Sequence, residues 1–176
     1  IVDQIFIGQD VGYLGNAATN VSYPFSTICL AISLLVGIGS ASRFSLYLGR
    51  KEPKEAAKVA GSGVVLMAAV GLLYAVIGEL LLEPLLHIFG ATADILPYAR
   101  EYAGVTLFGM PFLIVTNGMS NLIRADGSPK YSMLCMVSGA IVNMILDPVF
   151  IFLCDWGVFG AALATVFGQI LSFVLA

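Results

Sequence analysis

The feature that most constrains this chain is a set of long stretches without any charged side chain. No Asp, Glu, Lys or Arg occurs in residues 11–42, 59–78, 102–123, 131–146 or 156–176. A helix needs about 18 to 20 apolar residues to cross the hydrocarbon core of a bilayer, and each stretch approaches or exceeds that length. Of the 176 residues, 59% are hydrophobic and 11% are charged, against about 25% charged in a soluble domain. The sequence therefore predicts an integral membrane protein.

The apolar stretches divide the chain into six spans, of which the first is partial. Residues 1–8 form the end of span 1, and spans 2 to 6 cover residues 17–48, 56–82, 97–121, 131–153 and 158–176. Charged turns, or turns rich in Gly and Pro, separate the spans, and Pro84 together with residues 90–97 is expected to separate spans 3 and 4. A membrane β-barrel would instead show alternating segments of about 10 residues. We predict an all-α, polytopic transmembrane bundle of five long helices plus the end of a first helix.

The basic residues predict the orientation of these spans, because short cytoplasmic loops carry an excess of Lys and Arg. Arg50, Lys51, Lys54 and Lys58 lie in or beside the loop between spans 2 and 3, and Arg124 and Lys130 lie in the loop between spans 4 and 5. The alternate loops offer only Arg100. We therefore expect the 2–3 and 4–5 loops to be cytoplasmic. Arg43, inside span 2, is interpreted as a side chain that extends its charge to the cytoplasmic edge.

Composition also bears on partners and completeness. A net charge of −3 provides no basic surface for nucleic acid, so that class of partner is not expected. The chain begins at Ile1 without a basic leader and stops at Ala176 inside an apolar run. We therefore expect a fragment cut at both ends, without a signal peptide.

Two carboxylates lie inside spans, where a charge costs at least about 2.5 kcal/mol and therefore indicates function. Asp3 and Asp147 both lie about 8 to 9 Å from the outer face, by the rise of a helix. Asn143 shares a helix face with Asp147, and Thr165 of span 6 lies only slightly deeper. These four residues are predicted to converge in the outer half of one six-helix bundle.

Oxygen ligands of this kind suit a small hard cation, and two carboxylates in a poorly hydrated cavity favour the binding of a proton. Simpler interpretations remain open at this point. Asp147 and Pro148 could mark a turn, Asn143 could join two helices, and Thr165 could bond to its own backbone. Asn117 and Asn121 form another pair four residues apart, suited either to packing or to support of the site.

Five segments stand out together: Asp3-Gln4-Ile5-Phe6-Ile7-Gly8, Gly49-Arg50-Lys51, the loop 124–131, Asn143-Met144-Ile145-Leu146-Asp147-Pro148 with the apolar residues to 152, and residues 157–165. In this order and spacing they resemble the multidrug and toxic compound extrusion (MATE) family over essentially the whole chain.

The resemblance implies a transporter of twelve helices in two lobes, of which residues 1–176 form the amino-terminal lobe without the start of helix 1. It implies a cation site at Asp3, Asn143, Asp147 and Thr165, a candidate Na+ site, with Na+ or H+ as coupling ion and no other cofactor. The expected function is antiport of drugs or other small organic compounds, with cationic amphipathic substrates, across the plasma (inner) membrane. The expected partners are the lipid bilayer and the missing carboxy-terminal lobe.

Two alternative functions compete with this one. A lipid-linked oligosaccharide flippase of a related superfamily would share the fold but usually has a basic cavity, to which only Arg43 could contribute. An intramembrane aspartyl protease would use two membrane aspartates. Its Gly-x-Gly-Asp pattern is absent, because Ile145 and Leu146 precede Asp147. We therefore expect a transporter and not an enzyme.

Overall fold

The structure, a computed structural model, describes residues 2–10, 12–154 and 156–176, without the side chains of Val2, Asp3, Asp10 and Leu153. The described residues are helical and contain no strand. The elements are α1 (Val2–Asp10), α2 (Tyr13–Gly49), α3 (Pro53–Leu80), α4 (Leu82–Ile88), α5 (Leu96–Ala125), α6 (Pro129–Pro148), a π-helical turn (Val149–Leu153) and α7 (Gly157–Leu175). Five of these helices, counting α6 with its π-helical turn, are long and apolar enough to cross a membrane. The predicted helical membrane bundle is confirmed.

Two of the loops are closed by the same backbone motif. At the end of α2, Lys51 adopts φ 61°, and the amide of Glu52 donates to the carbonyl of Tyr47 at 3.0 Å. At the end of α5, Gly127 adopts φ 90°, and the amide of Ser128 donates to the carbonyl of Ile123 at 3.1 Å. Each left-handed residue reverses the chain while it satisfies the last helical carbonyl groups. A proline then begins the next helix, where its missing N–H is not needed.

Contacts between α2 and α5 show that these two helices run parallel. The Cys29 thiol lies 3.9 Å from the carbonyl of Met110, and the Ser33 hydroxyl donates to the carbonyl of Ile114 at 3.1 Å. Residue numbers therefore rise together along both helices, so both helices end on the same side of the bundle. The loops at 50–52 and 126–128 accordingly share one end, as the sequence predicted.

Helix α5 lies at the centre of the bundle and packs against α2, α3, α6 and α7. Its residues Leu107, Met110 and Ile114 are almost completely buried. The outward faces of the other helices carry large apolar side chains, such as Leu35 with 78% of its surface exposed and Leu72 with 61%. Such a surface is suited to lipid and not to water.

The structure differs from the predicted spans at several helix ends and at two prolines. Helix α2 begins at Tyr13 instead of residue 17, α3 at Pro53 instead of residue 56, and α5 continues to Ala125 instead of ending at 121. Pro84 lies in the first turn of an additional short helix, α4, because proline is tolerated where no amide donor is required. The predicted span 131–153 corresponds to α6 and the π-helical turn together.

Candidate functional site

Three of the four predicted site residues lie together between α6 and α7. The side-chain amide of Asn143 donates to Oδ1 of Asp147 at 3.4 Å and to Oγ1 of Thr165 at 3.3 Å. The Thr165 hydroxyl also donates to the carbonyl of Ala161 at 3.0 Å. Thr165 therefore bonds to the backbone of its own helix and to Asn143 of α6 at the same time. Asp147 has an exposed fraction of 0%. The arrangement places a buried carboxylate within one connected set of polar groups.

A close approach of α6 and α7 brings these side chains into contact. A methyl group on Gly139 would lie 2.5 Å from the carbonyl oxygen of Gly168 and would overlap the Ser172 hydroxyl. A methyl group on Gly168 would lie 3.0 Å from Cβ of Asn143. Small residues let transmembrane helices approach closely, and this contact is one turn from the polar cluster. The glycines therefore set the spacing across which Asn143 reaches Thr165.

The Asp147-Pro148 pair does not form a turn. Helix α6 continues through Pro148 into the π-helical turn Val149–Leu153. Proline cannot donate the usual backbone bond to the residue four positions earlier, which favours a local widening of the helix. π-Helical turns occur frequently at functional sites. The alternative interpretation of this pair as a loop is excluded.

Asp3 lies in α1, but its side chain is outside the described part of the chain. One turn later, the fully buried Ile7 belongs to a cluster with Ile151, Val158 and Ala161. This cluster holds α1 against α7 and the π-helical turn. The convergence of Asp3 with Asp147 stays a prediction.

The two asparagines of α5 have separate environments. Asn117 lines the same cavity as Asn143 and Thr165. Asn121 donates to the carbonyl of Asn117 at 3.0 Å, and its amide nitrogen lies near Gly37 of α2. Asn117 therefore lies beside the predicted site residues, whereas Asn121 packs between helices.

The cavity between α5, α6 and α7 has a volume of about 210 Å³. Its lining consists of Leu113, Thr116, Asn117, Met136, Gly139, Ala140, Asn143, Thr165, Gly168, Gln169 and Ser172. Gln169 is not among the residues predicted from the sequence; its Oε1 is buried and has no hydrogen-bond partner among the described residues. Its position four residues after Thr165 is the signal that could have identified it. The polar groups of α7 therefore extend from Thr165, which contacts Asn143 beside Asp147, to Gln169.

The electrostatic setting of Asp147 follows from where the basic residues lie. None lies in α1 or α7, and in α6 Lys130 is in the first turn, about 25 Å away by the helical rise. A buried carboxylate is costly unless it is paired or protonated. Within the described residues no three His, Cys, Asp or Glu side chains group together, so a site of the zinc type is not present there. The carboxylate, amide and hydroxyl oxygens instead fit a hard monovalent cation or a proton.

Comparison with known proteins agrees with this architecture. A model of the MatE family matches residues 1–149. The multidrug export protein MepA of Staphylococcus haemolyticus is 30% identical over 159 residues, which is 88% of this chain and 35% of that protein. The chain therefore spans about a third of the length of this relative.

Solved transporter structures share the fold. An inward-facing multidrug resistance MATE family transporter of the MOP superfamily superposes with a TM-score of 0.94, at 27% identity, over 99% of this chain and 39% of that one. An outward-facing structure of a transporter of the same description gives 0.91, at 27% identity, over 98% and 38%. With a family match over most of its length, this chain belongs to the MatE family, the multidrug and toxic compound extrusion transporters.

Proposed function

We propose that residues 1–176 form the amino-terminal lobe of an antiporter that exports small organic compounds in exchange for Na+ or H+. The observation that carries this proposal is the complete burial of Asp147 beside Asn143 and, through Asn143, Thr165. A buried carboxylate in that position stabilises a bound cation or proton, and its negative charge is costly when neither is bound. Its occupancy therefore favours one conformation of the lobe over another, which is the requirement for coupling.

The proposed cation ligands are Asp3, Asn143, Asp147 and Thr165. Asp3 lies one turn before Ile7, whose side chain is buried against α7 and the π-helical turn. Because a helix repeats its face every three to four residues, we expect Asp3 on the same side. Asn143 links the carboxylate of α6 to the hydroxyl of α7, so a cation would join three helices. Asn117 and Gln169 lie along the adjoining cavity, where they would contact substrate or bound water.

The proposed substrates are cationic amphipathic compounds. The cavity beside Asp147 combines apolar walls, such as Leu113 and Met136, with a few amide and hydroxyl groups. Surfaces of this kind accept varied apolar shapes. The remaining wall would come from the carboxy-terminal lobe, and the basic loops at 50–52 and 126–128 would face the cytoplasm of a plasma-membrane protein.

Specific observations disfavour the two alternative functions, a flippase and a protease. No Lys or Arg lies among the described residues that line the cavity, which disfavours a flippase for lipid-linked sugar phosphates. The Gly-x-Gly-Asp pattern of intramembrane aspartyl proteases is absent at Asp147, which Ile145 and Leu146 precede, and this disfavours a protease. Membership of a family of multidrug exporters favours the antiporter.

The proposal is tested by Asp147→Asn in the full-length protein. This change keeps the size of the side chain and removes its charge. Cation-driven efflux of a fluorescent drug should therefore fall to the level of cells that lack the protein. Asp126→Asn, in the loop between α5 and α6, is the matched control and should export normally. Comparable membrane levels of both variants exclude a folding defect. Wild-type efflux by Asp147→Asn, with unchanged dependence on the ion gradient, would refute the site assignment.

A further inference from the structure

A second groove lies between α2 and α3, on the side of the bundle away from Asp147. Its volume is about 600 Å³, and its lining consists of Leu35, Val36, Gly39, Ser40, Arg43, Lys58, Val59, Ser62, Gly63 and Leu66. None of these residues belongs to the proposed cation site. The proposed function therefore leaves the groove, and Arg43 in it, without a role.

Small residues shape the floor of this groove. A methyl group on Gly63 would lie 2.6 Å from Oγ of Ser40, so α2 and α3 are in tight contact there. A methyl group on Gly39 would meet no atom within 4 Å, so the space above it is open. Leu35 and Leu66 flank the opening, with 78% and 51% of their surfaces exposed. The apolar part of the groove therefore opens towards the surroundings of the bundle.

Two basic side chains lie at one end of the groove. Arg43 is six residues before the end of α2 and Lys58 five residues after the start of α3, which places both about 8 to 9 Å inside the helical ends. Lys58 pairs with Glu55 at 2.7 Å. Arg43 forms no ion pair with any residue that the structure describes. A guanidinium without an ion pair, beside apolar walls, favours an anionic partner.

The two ends of the bundle differ strongly in charge. Between Arg43 and Lys58 there are five basic and two acidic residues, a net charge of +3. Between Glu79 and Glu101 there are four acidic residues and one arginine, which pairs with Glu83 at 2.8 Å. The groove between α2 and α3 thus combines an apolar trough with a cationic end. That combination complements a lipid with acyl chains and an anionic head.

We propose that this groove binds an anionic phospholipid of the bilayer, of the phosphatidylglycerol class. The phosphate contacts Arg43 and Lys58, since a guanidinium binds phosphate through paired hydrogen bonds. One acyl chain lies along Leu35 and Leu66 over Gly39. Basic pockets between transmembrane helices are known to bind anionic head groups in this way. Lipid bound here would hold α2 and α3 together at the end where the two helices are joined.

The test uses the full-length protein in mixed micelles with equal amounts of phosphatidylglycerol and phosphatidylcholine, and counts the retained lipids by native mass spectrometry. The wild type should retain phosphatidylglycerol preferentially. Arg43→Gln combined with Lys58→Gln should lower its affinity for that lipid about 30-fold, from the contribution of two basic side chains near a membrane phosphate. Arg50→Gln combined with Lys51→Gln removes the same charge at the same end but outside the groove, and should retain the lipid.

A second pair of variants tests the acyl-chain trough without a change of charge. Gly39→Leu fills open space in the groove and should reduce retention, whereas Gly61→Leu, where a methyl group also meets nothing within 4 Å, lies outside the lining and should not. Equal retention of the two lipids by the wild type would overturn the proposal. So would equal losses in the two charge variants, because the attraction would then be diffuse, or unchanged retention in Gly39→Leu. None of these readouts depends on transport.

Discussion

At the scale of single residues, Asp147 combines complete burial with a group that is ordinarily charged. Its depth inside an apolar span made it recognisable in the sequence, as did the spacing to Asn143. Thr165 was predicted from its depth in the next span. Gln169 was not, because an uncharged polar residue in an apolar helix costs little and gives a weak signal. Only the contact of α5 with α7 shows that its Oε1 lies in the protein interior.

Thr165 contributes one neutral oxygen to the proposed site. Thr165→Ala in the full-length protein removes the hydroxyl that accepts from Asn143, and a single neutral hydrogen bond contributes about 0.5 to 1.5 kcal/mol. We expect the cation concentration for half-maximal transport to rise about 2- to 13-fold. Thr165→Ser keeps the oxygen and should remain close to the wild type. Equal cation dependence in Thr165→Ala and the wild type would exclude this residue from the site.

At the scale of the helices, the charge-free stretches predicted the five spans, because so much apolar surface is stable only where it can face lipid. Helix α4 and the π-helical turn were not predicted. Pro84 and Pro148 break regular hydrogen bonding in any helix, but whether the chain turns, restarts or widens depends on packing with neighbouring helices. Buried Leu82 and Leu86 hold α4 in place, and buried Ile151 holds the π-helical turn against α1 and α7.

The close contact between α6 and α7 should leave no room for a larger side chain at position 139, where Gly139 now lies. A methyl group there would overlap the Ser172 hydroxyl, so Gly139→Ala should force the helices apart and destabilise the protein by about 1 to 3 kcal/mol. Its thermal midpoint in detergent should fall below that of the wild type, and so should its apparent cation affinity. Gly61→Ala, at a position with open space, is the control and should not lower the midpoint. Equal midpoints for the two variants would contradict the described packing.

At the scale of the whole molecule, the lobe resembles an inward-facing and an outward-facing transporter with TM-scores of 0.94 and 0.91. The helices that match this chain are therefore arranged similarly in those two structures. The sequence predicted this lobe through its resemblance to the family. It could not predict the groove at Arg43, because that surface depends on how closely α2 and α3 pack at Ser40 and Gly63.

Residues 1–176 alone should insert into the membrane but should not export drugs. Alternating access requires two lobes, and this chain covers 35% of the MepA relative's length. Cells that express only this segment should accumulate a fluorescent drug as control cells do, whereas cells that express the full-length protein should not. Detection of the segment in the membrane fraction is the control for expression. Export by the segment alone would show that it is not half of a transporter.

The proposed function requires above all that one cation or proton binds within this lobe at Asp147. The most direct measurement is binding to the purified full-length protein in the absence of substrate, followed as saturable uptake of radioactive sodium and, in sodium-free buffer, as proton uptake. The wild type should show one saturable site, weakened by added substrate, whereas Asp147→Asn should show none and Asp126→Asn should match the wild type. Equal binding by the wild type and Asp147→Asn would contradict the assignment of the site to Asp147.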